Sequence, residues 1–407
     1  MFPADHIAGL VFRNMWVRIK AVFIWHINYQ LYLLICTNRR ITEKIRTCRE
    51  DSHDHADYSW ATLFTGVGLM SKSKRAIVVG AGGISGAWFP QLKAEGVQVA
   101  AVVDLNLENA QKRIDEYELD SVASDDLDKT LADTDADFVI DLTIPEAHCN
   151  VCCKAMEAGF HVVSEKPMAA SMDQARQMVA ASEKTGKLYM VSQSSRWEPI
   201  HDQYRRSVIN GQLGDLTTVN CDFYMAPHFG GFRDQMQSPL ILDMAIHHFD
   251  LARYFTASDP VAVYAHEFNP KGSWYKGDVA TTCIFEMTDG IVFTYRGSWC
   301  AEGCYTSWNG HWRIIGEQGT ILYEKDATPT GQIADGDEGF TRPLKDAVID
   351  PSPIEHKTMR GALREMLAYL NDGTKPQTEC HDNIKSLAMV FAAMQSSREG
   401  KRIEIKI

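Results

Sequence analysis

From residue 76 onward the chain alternates short, largely apolar runs with longer stretches of helical periodicity. Ala76-Ile77-Val78-Val79 is continuously apolar and residues 97–103, 137–143, 160–163 and 188–192 are mostly so, as strands covered on both sides are. Between them lie helical patterns at 106–117, from His148 to near Gly159, and at 172–185. Strand and helix alternating with short links predict a doubly wound parallel sheet over residues 70–192, with ligands at the carboxyl ends of its strands. From Gln193 the period shortens to two: Thr217, Val219, Cys221, Phe223 and Met225 share one face, and Ile291, Phe293, Tyr295 and Trp299 share another. That pattern predicts a second, α+β domain over 193–407, built on an open, largely antiparallel sheet with one covered face. Residues 240–250, 363–370 and 384–394 read as helices, with Gly373 and Gly400 as stops and 402–405 as a last strand. The segment 326–350, rich in Gly, Asp, Thr and Pro, reads as a mobile or pocket-edging loop.

Residues 1–69 follow neither pattern. The apolar stretch 21–36 is shorter than a bilayer span and contains His26, Asn28 and Gln30, which argues against a membrane anchor. No small-residue cleavage site follows to make it a signal peptide. Met70 leads through Ser71-Lys72-Ser73-Lys74-Arg75 straight into a buried strand, so the folded chain is expected to start at Met70, with 1–69 an extension outside it.

Composition narrows the partners. Forty-one Lys and Arg against 53 Asp and Glu give a formal charge of -12, which repels phosphate backbones and anionic membranes. The ten cysteines lie in apolar segments and read as reduced thiols of a cytoplasmic protein. Cys149, Cys152 and Cys153 beside His148 could be taken for a zinc group, but no second pair follows at finger-like spacing. They read as small residues of a helix packed on the sheet, and no metal is expected.

The first strand runs into Gly80-Ala81-Gly82-Gly83-Ile84-Ser85-Gly86, a turn whose glycines let the backbone approach a pyrophosphate at a helix start. It departs from G-x-G-x-x-G, because Ser85 holds the sixth place and Gly86 follows it. Asp104 ends the second strand, where a carboxylate accepts from ribose hydroxyls and repels a 2′-phosphate. Leu105, Asn106 and Leu107 supply no arginine for such a phosphate, so NAD is favoured over NADP. The competing reading of Asp104 is a solvated strand end or helix cap. Thr143, Pro145, His148, Glu165 and Lys166 fall at later strand ends. Asp243 and His247, four apart, share a face of the expected helix, with Asp250 a turn on and His248 rotated by about 100°. That rotation argues against a metal site there.

In this order, the Gly80 loop, Thr143-x-Pro145-x-x-His148, Glu165-Lys166-Pro167, Arg196 before Pro199 and Asp243-x-x-x-His247 resemble the Gfo/Idh/MocA oxidoreductases, and the likeness extends from Lys74 to Ile407. The resemblance implies an N-terminal Rossmann domain, a C-terminal domain whose open sheet mediates dimers or tetramers, and NAD-dependent oxidation of a secondary hydroxyl of a sugar or cyclic polyol. It implies cofactor contacts at Gly80, Gly82, Gly83, Ile84, Asp104, Thr143, Pro145, His148, Glu165 and Lys166. His247 suits the general base, with Lys166 holding the substrate oxygen and Asp243 binding a neighbouring hydroxyl or orienting Lys166. Arg196, Trp274, Tyr275 and His311 are candidates for the substrate pocket. Two departures stand out: Glu146 replaces a common asparagine, and Ser238-Pro239-Leu240 replaces a glycine-rich entry to the helix. The same family contains a galactose-pathway repressor and NAD-dependent glycosidases. A non-catalytic regulator and a glycosidase are therefore the alternatives, and intact Lys166, Asp243 and His247 argue against the regulator.

Overall fold

The computed structural model describes residues 73–407, and the expectations for 1–69 and for a start at Met70 lie outside the described residues. The first half alternates β1 (Arg75–Val79), α1 (Ser85–Ala94), β2 (Gln98–Val103), α2 (Leu107–Tyr117), β3 (Val122–Ser124), α3 (Leu127–Asp133), β4 (Phe138–Asp141), α4 (Pro145–Glu157), β5 (His161–Glu165), α5 (Met172–Thr185) and β6 (Tyr189–Ser192). Its strands lie in the order β3-β2-β1-β4-β5-β6, all parallel. The order reverses between β1 and β4, opening a crevice at their carboxyl ends. Ile77, Val78, Val139, Ile140, Val162 and Val163 are fully buried, because helices cover both faces. Sequence patterning missed β3, which is only three residues long and half-exposed.

The second half contains α6 (Pro199–Ile209), β7 (Leu216–Tyr224), a π turn (Leu240–Ala245), α7 (Ile246–Thr256), β8 (Pro260–Phe268), β9 (Ala280–Met287), β10 (Val292–Ser298), β11 (His311–Gly316), β12 (Gly319–Tyr323), β13 (Thr330–Ala334), β14 (Leu344–Asp346), α8 (Thr358–Asp372), α9 (Cys380–Glu399) and β15 (Ile403–Glu404). They form a nine-stranded sheet in the order β14-β13-β12-β11-β7-β10-β9-β8-β15, antiparallel except where β10 runs parallel to β7. Helix α7 covers one face: Phe249 packs edge-on to Phe285 and Tyr295, and Phe255 edge-on to Trp312.

Three local features differ from the sequence expectation. The segment 326–350 is no simple loop, since β13 and β14 within it extend the sheet. β13 is short and its Thr330-Gly331-Gln332 lack apolar residues at alternate positions, so they gave no periodic signal. The helix expected over 240–250 begins as a π turn and becomes α-helical only at Ile246. Helix α8 leaves the second half and packs on the first, where Ala362, Leu363 and Met366 join the cluster of Ala76, Val78 and Trp88. Gly361 makes that return possible, because a Cβ there would sit 2.4 Å from Trp197.

Candidate active site

The crevice between β1 and β4 is a cavity of about 820 Å³ lined by Gly80, Gly82, Asp104, Leu142, Thr143 and Ile144 among others. Gly80 has φ +99°, and a Cβ on it would meet the Leu142 carbonyl at 2.7 Å, so only glycine fits. Gly82 and Gly83 have nothing within 4 Å of a Cβ position, which leaves open space over the loop. The main-chain N–H groups of Gly82, Gly83 and Ile84 find no acceptor among the described residues. Free donors over open space at the start of α1 suit the pyrophosphate of a dinucleotide.

Asp104 combines both sequence readings. Its Oδ2 accepts from Ala81 N at 2.8 Å and its Oδ1 from Asn106 N at 2.9 Å, so it ties the glycine loop to the entry of α2. It also lines the cavity, and a carboxylate has lone pairs left for ribose hydroxyls. Asp125 and Asp126 line the same cavity, and its one lysine, Lys154, is paired with Asp128 at 2.7 Å, so negative charge prevails where a 2′-phosphate would need cations. Arg113, unnoticed in the sequence, donates to Ala81 O at 3.2 Å and Gly82 O at 2.9 Å and so braces the loop from α2. These residues fit NAD.

The other cofactor candidates divide into lining and support. Thr143 lines the cavity, and its hydroxyl is tied to Asp141 at 2.6 Å. Pro145 takes the first turn of α4, where its missing N–H costs nothing. His148 is fully buried, its Nδ1 3.0 Å from Pro167 O and its Nε2 3.1 Å from Thr143 O, so it clamps two strand-end loops together. Glu165 is buried under Trp88, whose indole N–H donates to it at 2.8 Å, and burial raises its carboxyl above the usual range. Glu165 Oε2 also accepts from Lys166 N at 3.2 Å, which fixes where the lysine leaves the strand.

Lys166 crosses to the second half. Its ammonium donates to Asp243 O at 3.0 Å and Asp243 Oδ1 at 3.1 Å. Arg233, which the sequence gave no reason to single out, donates from Nε to Asp243 Oδ2 at 2.6 Å. Burial pushes the Asp243 carboxyl up, but Lys166 and Arg233 outweigh it and hold the pKa below its ordinary value. His247 follows one turn on, its Nδ1 3.2 Å from Gln193 Nε2 and 3.3 Å from Ser195 Oγ. Burial and then the Lys166 charge drive its pKa well below the ordinary value, so the ring is neutral at neutral pH. Its Nε2 makes no hydrogen bond among the described residues. Gln193 and Ser195 lie in the link after β6, where only folding brings them to His247.

Four substrate candidates scatter. Arg196 is buried, with Nε and Nη2 on both oxygens of Asp250 at 2.7 and 2.6 Å, Nη1 on Gln377 O at 3.0 Å and Nη2 also 2.8 Å from Asp382. Each of its three nitrogens is engaged, so it ties α7 to α9. His311 sits in β11 next to Trp312, whose ring packs on His248 and Phe255 of α7. Alternation along the strand puts His311 on the opposite face of the sheet, away from His247. Tyr275 is buried, and its hydroxyl donates to Pro227 O at 2.7 Å. Trp274 stacks on His228 with centroids 3.8 Å apart, and its buried Nε1 has no partner among the described residues. His248 is buried too, 3.2 Å from Trp308 O and 3.3 Å from Tyr295 Oη, and burial lowers its pKa to about 3. Cys149, Cys152 and Cys153 are free and buried on α4.

Comparison with known proteins agrees with this arrangement. Residues 74–193 match the GFO/IDH/MocA family described as "Oxidoreductase family, NAD-binding Rossmann fold", and residues 201–322 match the "GFO/IDH/MocA C-terminal domain". An uncharacterized protein, y4oX, of Sinorhizobium fredii is 25% identical over 82% of this chain and 96% of its own length. The D-apiose dehydrogenase of Paraburkholderia graminis is 25% identical over 77% of this chain and 84% of its own. In fold, the chain is similar to an Agrobacterium radiobacter oxidoreductase solved with NAD+, L-tartaric acid and magnesium, with TM-score 0.72, 20% identity and coverage of 82% of this chain and 99% of that one. With the glycine cradle, Asp104 and both domains in place, the chain belongs to the GFO/IDH/MocA family of NAD-binding oxidoreductases.

Proposed function

We propose that the protein is an NAD-dependent dehydrogenase that oxidises a secondary hydroxyl of a sugar or cyclic polyol. The observation that carries this reading is the ion pair of Lys166 with Asp243, one turn from a neutral His247 whose Nε2 has no partner among the described residues. A relative named D-apiose dehydrogenase supports a sugar as the substrate class.

NAD, when bound, supplies the hydride acceptor. Lys166 spends two donor positions on Asp243 and keeps the third for the oxygen that is to become a carbonyl, favouring its alkoxide character. With the Gln193 amide turned so that its oxygen, which has no partner among the described residues, faces the ring, His247 carries its proton on Nδ1 between Gln193 and Ser195, and the Nε2 lone pair is left to take the hydroxyl proton. The neutral state of His247 fits a base, and the Lys166 charge beside it is part of the cause. Gly82, Gly83, Ile84 and Asp104 hold the cofactor, while His148 and Glu165 act through the loops they fix. The active protein is a dimer or tetramer joined through the open face of the large sheet, where Tyr264, Phe268, Ile284 and Val292 are exposed.

NADH formation followed by absorbance with a panel of inositols and sugars tests this. Steady accumulation is expected. Glycoside cleavage without net NADH would replace the reading with a glycosidase, and NAD binding with neither reaction would leave a regulator.

A further inference from the structure

Arg233 presents a donor edge that no described residue uses. Its Nε is taken by Asp243 at 2.6 Å, and its guanidinium carbon lies 4.9 Å from the Phe229 ring centre and 4.7 Å from that of Phe232. Two aromatic faces and a carboxylate fix the plane and direction of the fork. Its terminal nitrogens make no hydrogen bond with any described residue, and 33% of the side chain remains accessible. Phe229 and Phe232 are themselves 44% and 67% exposed, so the rings that hold Arg233 stand at the surface beside the reacting group. The next residue, Asp234, does not complete it. No hydrogen bond or ion pair joins the two, and the Asp234 charge is felt instead at Tyr275, whose phenol is pushed up to about 12, chiefly by burial.

The charges at the site point the same way. One carboxylate, Asp243, sits between two cations, 3.1 Å from Lys166 Nζ and 2.6 Å from Arg233 Nε. His247 is neutral and adds nothing. Asp243 thus takes Nε of Arg233, while the terminal nitrogens of Arg233 reach no carboxylate of any described residue.

We infer that Arg233 receives a carboxylate of the substrate on its terminal nitrogens, which makes the preferred substrate a polyhydroxy acid such as a hexuronate, not a neutral sugar. This rests on the dehydrogenase reading of Lys166 and His247. A planar carboxylate matches one free guanidinium edge.

The test uses the full chain loaded with NADH. Hexuronates of gluco, galacto and manno configuration, their neutral hexoses and the hexose 6-phosphates are titrated against NADH fluorescence. At least one hexuronate is expected to bind about tenfold or more tighter than its hexose, the range of a charge-assisted hydrogen bond. In Arg233→Gln that preference drops to within about twofold, while Arg233→Lys, which keeps the charge but not the fork, falls between. NADH affinity checks that each variant is folded. The inference is overturned if no hexuronate exceeds its hexose, if the preference survives in Arg233→Gln, or if the phosphates bind tighter. NAD reduction by the same compounds is read separately. Carboxylate preference without turnover removes the dehydrogenase reading and keeps the carboxylate site, and turnover of neutral hexoses alone does the reverse.

Discussion

Lys166, at the end of the fifth strand of the first sheet, and Asp243, in the π turn of the second half, meet through two hydrogen bonds of 3.0 and 3.1 Å. One residue belongs to the cofactor-binding half and the other to the half that must supply the substrate pocket. Their contact sets the ammonium between the two.

Replacing Lys166 by Met is expected to reduce turnover by about two to four orders of magnitude while NAD affinity changes by less than about threefold. Stopped-flow turnover and cofactor titration check this. A rate equal to that of the unmodified enzyme would remove Lys166 from the mechanism.

The depressed pKa of His247 fixes the sign of the pH dependence. A base must be unprotonated, so oxidation should hold as pH falls through 6.5 and decline only well below it. Because the Lys166 charge contributes to the depression, Lys166→Met should move the His247 titration upward, which NMR can follow. An acid limb centred at or above 6.5 in the unmodified enzyme would contradict the neutral-base assignment.

Gly80 and Gly82 should respond differently to alanine. At Gly80 the positive φ and the 2.7 Å approach to Leu142 predict destabilisation of about 1–3 kcal/mol or more, with loss of cofactor binding. At Gly82 a Cβ meets nothing within 4 Å, so unfolding should be unchanged and only cofactor affinity should fall. Thermal melts and NAD titrations of both variants separate the two effects.

Arg196→Met should cost about 3–5 kcal/mol of stability, because it leaves the Asp250 carboxylate buried without its bidentate partner. Denaturant unfolding reads this. Normal stability with a raised KM would place Arg196 in the substrate pocket.

Glu267 is buried, and burial pushes its pKa up to about 7. The folded state thus keeps a proton that the unfolded chain loses near its ordinary 4.5, so this residue lowers stability as pH rises from about 4.5 to 7. Glu267→Gln should stabilise the protein by about 1–3 kcal/mol at pH 8 and by little at pH 4.5. Equal shifts at both values would refute the linkage.

The residues whose signals are local were readable in advance. Buried parallel strands announce themselves as short apolar runs, so Gly80, Asp104, Thr143 and Lys166 could be assigned to strand ends. Asp243 and His247 were paired by their spacing, although the wider π turn that carries Asp243 leaves no mark in hydrophobic periodicity. The ties of Arg196 were not legible, because its place beside proline gave no hint of Asp250 and Asp382, far along the chain. Arg233, Gln193 and Ser195 were missed for the same reason: each lies in irregular chain, where no period marks a residue as facing a site.

The sequence by itself determined most of the elements, the parallel first sheet and the cofactor cradle, since periodicity, glycine geometry and a strand-end carboxylate act over a few neighbouring residues. Only the tertiary structure decided which charges meet. Asp243 between Lys166 and Arg233, His247 beside Gln193 and Ser195, and Arg196 locked onto Asp250 all join segments distant in sequence, and their electrostatics depend on burial that exists only after the two sheets and their helices have packed.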